Sequence, residues 1–303
     1  MVLRASIGTL AMLGLGGKLV PSQRTAYFML DGRCVFDCKF CTHARSSKSH
    51  SRFLSRMVWK EVDPKEAAKK TLDNDNIKRV CFQVVSYPGY EDDLLKLLGM
   101  FRGKRISVSV RARDMEEVRS YYEGGAEIVS VSIDAASPEL FKKIRGGSFD
   151  RTLELLDDMA REFPGRVATH IIIGLGETER EVAWILDWLY RRNIIVALFA
   201  FTPVKGTALE NMERPSLEDY RRVQVLRFLF EKGMIRFEDL EFDERGKVKD
   251  FKVDLDSLDL KRAFLTSGCP DCTRPYYNES PGKVLYNVHD ESLLDQVPDF
   301  SSS

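Results

Sequence analysis

Residues 128–135 read IVSVSIDA and residues 107–113 read SVSVRAR. Successive side chains of an extended chain point to opposite faces, so Val129, Val131 and Ile133 share one face while Ser130, Ser132 and Asp134 share the other. The second stretch divides in the same way, with Val108 and Val110 opposed to Ser107, Ser109, Arg111 and Arg113. A parallel sheet covered by helices on both faces reads as an almost unbroken apolar run. These strands instead have one apolar face, suited to covering helices, and one polar face, suited to a lumen that holds a polar ligand. A solvated antiparallel edge would alternate likewise, but helical stretches intervene here.

Six β-rich runs recur, at 25–30, 77–86, 105–110, 127–134, 167–174 and 194–201. Helix starts separate them: Asp63-Pro64 with Glu66, Ser137-Pro138, Thr178 with Glu181, and Ser216 after Pro215 carry capping chemistry. Strands alternating with helices predict a parallel sheet. The expected fold is therefore α/β, a partial (βα)6 TIM-like barrel over 25–232, with an N-terminal extension at 1–24 and a C-terminal extension at 233–303. Within the latter, FEDLEFDERGKVKDFKVDLD (237–256) reads as a charged hairpin or extension. The stretch FLTSGCPDCTRPYYNESPGKVLYNVH (264–289) concentrates Cys, Pro, Gly and aromatics without a helical period. The final DFSSS (299–303) reads as disordered.

The 303 residues include 46 basic and 46 acidic side chains, so no global field points to nucleic acid or to a membrane. Six cysteines fall in groups of metal-ligand spacing within a large chain, which favours a reducing compartment over a disulfide framework. The opening MVLRASIGTLAMLGLGGKLV has the basic-then-apolar look of a signal peptide. It lacks Ala-x-Ala-like cleavage chemistry, and export would expose the downstream thiols to oxidation. No run approaches the roughly 18 apolar residues of a membrane span. A cytoplasmic protein is expected.

GRCVFDCKFCTHARSS (32–47) places Cys34, Cys38 and Cys41 just after the first strand, on the rim where barrel active sites are built. Soft thiolates select zinc or iron–sulfur clusters. A structural zinc site takes four ligands, and His43 or His50 could complete one. Three cysteines on a cubane cluster leave one iron open to an exogenous ligand.

Cys34-x3-Cys38-x2-Cys41, with Phe40 before the last cysteine, resembles the radical S-adenosylmethionine signature. The resemblance covers about residues 22–232. It implies a [4Fe-4S] cluster whose open iron chelates the methionine moiety of S-adenosylmethionine, and a 5′-deoxyadenosyl radical formed by one-electron cleavage. HIIIGLGETE (170–179) is similar to the family's GxIxGxxE motif through Ile172, Gly174 and Glu177, with His170 where the first glycine usually lies. By the same resemblance Asp134 would bind ribose hydroxyls or cap the following helix. Arg111 and Arg113 would meet the cofactor carboxylate or act as rim salt-bridge partners. Backbone at Ser86 and Tyr87 would receive the amino group, and AFTPVKGT (200–207), with Thr202, would pack on adenine.

RVCFQVVSYPG (79–89) resembles the second strand of biotin synthase, where a cysteine in the place of Cys81 ligates an auxiliary cluster. Taken alone, Cys81 reads equally as a small buried hydrophobe. The pair in SGCPDC, Cys269 and Cys272, has the spacing to grasp one metal and could reach the barrel mouth; Ser267 is the candidate non-cysteine ligand, with Thr266, Asp271 and Arg274 as near. TSGCPDCTRPYYNESPG (266–282) together with CVFDCKFCTHAR resembles one component of the two-protein lipoyl synthase. That resemblance implies two [4Fe-4S] clusters, the second donating sulfur. It implies an octanoylated lipoyl-carrier domain or H protein as substrate, a second lipoyl synthase component, and an electron donor such as ferredoxin. The basic loop HARSSKSHSRFLSR (43–56) reads as a solvated surface or as a seat for an acidic carrier domain. Two other readings stand beside it: a radical enzyme whose second cluster only carries electrons, and a noncatalytic zinc or electron-transfer protein.

Overall fold

The computed structural model describes residues 1–20, 22–279, 281–298 and 300. Of the terminal DFSSS, only Phe300 lies within the described residues; it packs against Phe251 and Phe264. Strands β1 (Val2–Ser6), β2 (Thr25–Asp31), β3 (Phe53–Leu54), β4 (Met57–Val62), β5 (Arg79–Val84), β6 (Arg105–Val110), β7 (Ile128–Val131), β8 (Val167–Ile173) and β9 (Ile195–Ala200) form a nine-stranded sheet. Its order is β3-β4-β1-β2-β5-β6-β7-β8-β9. From β2 to β9 all neighbours run parallel, giving the half-barrel that the six β-rich runs predict.

The connections are helical: α1 (Ile7–Met12), α2 (Pro64–Leu72), α3 (Tyr90–Met100), α4 (Met115–Glu123), α5 (Pro138–Leu140), α6 (Phe149–Glu162), α7 (Glu179–Tyr190) and α8 (Leu217–Glu231). Asp63, Thr178 and Ser216 cap α2, α7 and α8 through their side chains, and Thr178 with Glu181 closes a full capping box. Ser137 stands at the N-cap of α5 without a side-chain bond. Among the described residues no helix is long and apolar enough to cross a membrane.

The alternation of side chains separates two apolar regions. Phe28, Val80, Phe82, Val108, Val129 and Ile171 pack outward into one core with the helices. Phe28, Phe82 and Phe101 meet there at centroid distances of 5.1–6.0 Å. On the lumen side Tyr27, Met29, Trp59 and Val85 form a separate cluster against Cys34, Cys81 and Cys272.

Two features depart from expectation. The N-terminal segment is woven into the sheet: β1 is antiparallel to both β2 and β4, and Leu3 and Ala5 are fully buried. The C-terminal segment forms the expected hairpin, β10 (Glu241–Phe242) with β11 (Val248–Asp250), and then wraps α8. Its irregular backbone has carbonyls with no ladder to join, and buried arginines of α8 supply the donors. Arg221 bonds the carbonyls of Leu285 and Tyr286, and Arg227 that of Ala263.

Candidate active site

β2 ends at Asp31, and Gly32 turns the chain beneath the ring of Tyr87, where a Cβ would collide with the ring carbons. The loop that follows sets Cys34, Cys38 and Cys41 around a cavity of about 140 Å³. Each sulfur has a donor. The Phe36 N–H lies 3.4 Å from Cys34 Sγ, the His43 N–H 3.4 Å from Cys41 Sγ, and Arg111 Nη1 3.7 Å from Cys38 Sγ. Arg111 is itself held over the Phe36 ring at 3.8 Å. Burial pushes the Cys38 thiol up, opposed by Arg145 and Arg111, and pushes Cys41 up to about 12. Such thiols stay protonated until a metal displaces the proton. Three soft donors round one cavity, with hydrogen-bond donors on their sulfurs, fit an iron–sulfur cluster with one iron free of protein.

An adjoining cavity of about 170 Å³ shares Phe40, Cys41, Asp134 and Gln83 with the first. Ile172, Thr202, His170 and Asn278 line its far side. Asp134 is reached past the end of β7 by a left-handed step, φ 62°. Its backbone bridges to β8, with its N–H on the His170 carbonyl and its carbonyl accepting from Ile172, each at 2.8 Å. Burial raises the Asp134 carboxyl, while Arg145, its ion-pair partner, and Arg111 pull it down. Ser86 borders the cluster cavity, but its carbonyl already accepts the Val35 N–H at 2.9 Å.

A second set of thiols lies deeper. Strand register puts Tyr27, Cys81 and Ser107 side by side, with Met29, Gln83 and Ser109 in the layer above. Cys269 and Cys272 meet this layer from the barrel's lower end, opposite the rim. The tail is pinned there to the strand starts: Thr25 donates to the Asp271 carbonyl and Arg79 to that of Pro270, both at 2.7 Å, and Arg105 pairs with Asp271. The pair thus approaches from below, not at the barrel mouth. All three sulfurs again have donors: Gln83 Nε2 to Cys81 at 3.2 Å, Tyr27 Oη to Cys272 at 3.6 Å, and the Ser107 hydroxyl to Cys269. Burial raises the Cys81 thiol and pushes Cys269 up to about 11. Among the described residues no three His, Cys, Asp or Glu side chains converge on one point as a single ion requires; each thiol set borders a cavity instead.

The lower thiols close one end of a space of about 430 Å³ whose walls are mainly apolar. Ile7, Leu19 and Val20 from the N-terminal segment, Met57 and Trp59 of β4, and Tyr276 of the tail line it. Gln83 and Ser109 border this channel and both upper cavities, so one layer of strand side chains meets all three spaces.

Of the residues expected from sequence, the structure brings Cys34, Cys38, Cys41, Phe40, Ser86, Arg111 and Asp134 to the rim cavity, and Ile172 and Thr202 to its neighbour. Cys81, Cys269 and Cys272 come together below. Five do not arrive. β6 ends at Val110, so the alternation lapses and Arg113 turns outward, pairing with Glu91 at 2.7 Å and Glu117 at 3.3 Å. Tyr87 donates to Asp93 at 2.7 Å. Glu177 folds back onto the N–H groups of Gly174 and Leu175 at 2.5 and 2.9 Å, clamping their turn. Ser267 accepts the Leu198 N–H at 3.0 Å, whereas Arg274 borders the channel. His43, by contrast, does border the rim cavity, with its Nδ1 3.4 Å from Asp31. Sequence reading missed Arg145, Gln83, Tyr27 and Arg79. The period of two points to Gln83 once Cys81 is chosen, whereas Arg145 comes from a distant loop.

The sequence profile of the Radical SAM superfamily matches residues 31–189. The uS12 methylthiotransferase RimO of Vibrio cholerae is 26% identical over 71% of this chain and 49% of its own. The biotin synthase of Vesicomyosocius okutanii is 23% identical over 68% and 65%. The chain thus spans about half and about two thirds of the length of these curated relatives. Among solved structures, the hydrogenase maturase HydG of Carboxydothermus hydrogenoformans superposes with a TM-score of 0.54 at 14% identity, covering 69% of this chain and 51% of that one. Methylornithine synthase PylB gives 0.50 at 20% identity, covering 76% and 77%. These two likenesses concern the fold. The half-barrel, the rim thiols and the profile match together place the chain in the radical SAM superfamily, whose members use a [4Fe-4S] cluster and S-adenosylmethionine.

Proposed function

We propose that the chain is a sulfurtransferase that inserts sulfur into an octanoyl chain on a lipoyl-carrier domain or H protein, as one component of a two-protein lipoyl synthase. One observation carries the reading: Cys81, Cys269 and Cys272 line an apolar channel that shares Gln83, Ser109, His170, Phe199 and Tyr277 with the cavity beside the rim thiols. When bound, the rim cluster and S-adenosylmethionine supply a hydrogen-abstracting radical. The residues of the chain position the rest. Ile7, Leu19, Val20, Met57 and Trp59 offer apolar wall to a chain of methylenes, each contributing about 0.8 kcal/mol when buried. Phe199 and Tyr277, packed edge to face at 5.2 Å, border both the channel and the cofactor-side cavity and offer both an aromatic wall.

Sulfur donation needs a second cluster beside the activated carbon. Cys81, Cys269 and Cys272 would hold it, and Arg274, not Ser267, is the polar tail side chain facing them. The sulfur-inserting relatives favour this class over a purely electron-carrying second cluster. The chemistry belongs in a reducing compartment, the cytoplasm, with the second synthase component and a donor such as ferredoxin as partners.

The test is mass spectrometry of an octanoylated carrier domain incubated anaerobically with reconstituted protein, S-adenosylmethionine and reductant, with and without the second component. A gain of one sulfur, matched by loss of labile sulfide, is expected. Cofactor cleavage with no sulfur gained and labile sulfide intact would reject the reading.

A further inference from the structure

Two spaces meet at the tail segment that carries Cys269 and Cys272. One is the apolar channel. The other is a cleft at the strand starts, lined by Ile195 of β9, Lys232 and Arg236 beyond α8, and Gly268 and Pro270 of the tail. Gly268 borders both spaces and has no side chain to separate them. A Cβ there would stand 3.2 Å from Ala197 Cβ and 3.9 Å from Cys272 Sγ. At this point the wall between cleft and thiols is one backbone thick.

The turn behind that wall is also the strained part of the tail. Asp271, Arg274 and Tyr276 have φ values of 65°, 43° and 56°, and Gly268 has 134°. Side chains seldom adopt this region unless neighbours hold them there. The ties that hold the turn are at the same end: Thr25 and Arg79 on the carbonyls of residues 271 and 270, and Arg105 on the Asp271 carboxylate. Pro270 itself is exposed. Ligation through Cys269 and Cys272 would add two further ties, so the turn is least constrained when the site is empty of metal.

We infer that hydrosulfide reaches the lower thiols through this cleft, at the barrel's lower end, and not through the substrate channel. The inference rests on the reading of Cys81, Cys269 and Cys272 as cluster ligands. A donor cluster is depleted as product forms, and a carrier-bound product fills the channel; a separate approach lets the site refill meanwhile. Glu231 and Glu238 also line the cleft but pair with Arg227 and Arg191, whereas exposed Lys232 and Arg236 form no ion pair among the described residues and leave an excess positive charge for a hydrosulfide anion.

The experiment uses the full chain with Cys34, Cys38 and Cys41 replaced by alanine, which leaves the lower thiols alone and frees the readout from cofactor cleavage. Ferrous iron and sulfide are added anaerobically, and loading is followed by visible absorbance with iron and labile-sulfide counts. K232E/R236E in this background should gain labile sulfide about fivefold more slowly at low ionic strength, the gap closing in salt. K232Q/R236Q should fall between. V20W, in the channel wall, should gain labile sulfide at the parent rate. Equal rates for the charge variants with slowing in V20W would overturn the inference and leave the ligand assignment standing. A parent that takes up no iron at all would remove the assignment, and the inference with it.

Discussion

Gln83 donates from Nε2 to Cys81 Sγ at 3.2 Å while its side chain also borders the cavities around the rim thiols. The two residues are successive lumen positions of β5, so the strand's period of two stacks one above the other. An amide donor on a thiolate favours its charged form, and outer-shell partners of this kind are worth about 10–100-fold in metal affinity. Gln83→Leu should therefore weaken iron retention at the lower thiols by that factor while S-adenosylmethionine cleavage continues. Iron and labile-sulfide analysis beside methionine release measures both; unchanged retention would show that the amide serves only packing.

The two thiol sets should separate genetically. Cys38→Ala removes the buried rim sulfur that faces Arg111 and should abolish cofactor cleavage. Cys272→Ala lies on the far side of the Gln83 layer and should leave cleavage intact while stopping sulfur transfer. Methionine release together with mass spectrometry of the carrier distinguishes the outcomes. Cleavage that survives Cys38→Ala would contradict the assignment of the rim site.

Asp134 and Arg145 form a buried ion pair beside the rim cavity. Removing one partner of such a pair leaves an uncompensated charge and costs about 3–5 kcal/mol. Asp134→Ala should lose that much stability in urea titrations. Asp134→Asn keeps an acceptor for the guanidinium and should recover much of it. If Asp134 also serves the ribose, Asp134→Asn will bind S-adenosylmethionine more weakly despite its recovered stability, as equilibrium dialysis would report.

The barrel was legible because each of its strands has apolar residues on one face and several of the helices, α2, α7 and α8 among them, carry side-chain caps. What escaped depends on contacts between distant residues. Thr25 meets Asp271 across 246 positions and Arg79 meets Pro270 across 191, and nothing local in the CPDC turn says which end of the barrel it will close. Arg79 is wholly buried, although a charged residue opening a strand ordinarily reads as exposed. Arg113 misled because alternation was extended past the last paired residue, and Ser267 because nearness in sequence was taken for nearness in space. Tail carbonyls, lacking a ladder, recruit buried arginines from α8, which an amphipathic reading assigns to solvent.

The N-terminal strand illustrates the same limit. LRAS alternates too briefly to announce a strand, yet β1 joins β4 to β2, and Leu3 is buried in the core. Leu3→Ala should cost about 2–5 kcal/mol, as for any large-to-small change in a packed core. Chemical denaturation checks it, and a cost below about 1 kcal/mol would return this segment to the status of an appendage.

His170 sits 3.0 Å from the Ser132 hydroxyl and edge-on to Phe199 at 5.1 Å. Burial, then the positive charges of Arg274 and Arg145, push its imidazole down to about 3. An unfolded histidine titrates near 6.5. Between these values the unfolded chain binds the extra proton, so stability rises with pH across that window and is lost as pH falls from about 6.5 toward 3. Above about 6.5 both states are neutral and the contribution is flat. His170→Asn should flatten the slope of unfolding free energy between about pH 6 and pH 4 by roughly 1 kcal/mol per pH unit. Urea titrations of both proteins across that range supply the comparison, and parallel slopes would mean that water reaches the ring. Because the imidazole is already neutral above about pH 5, His170→Asn should also leave the shape of the pH profile for cofactor cleavage unaltered there, whatever it does to the rate.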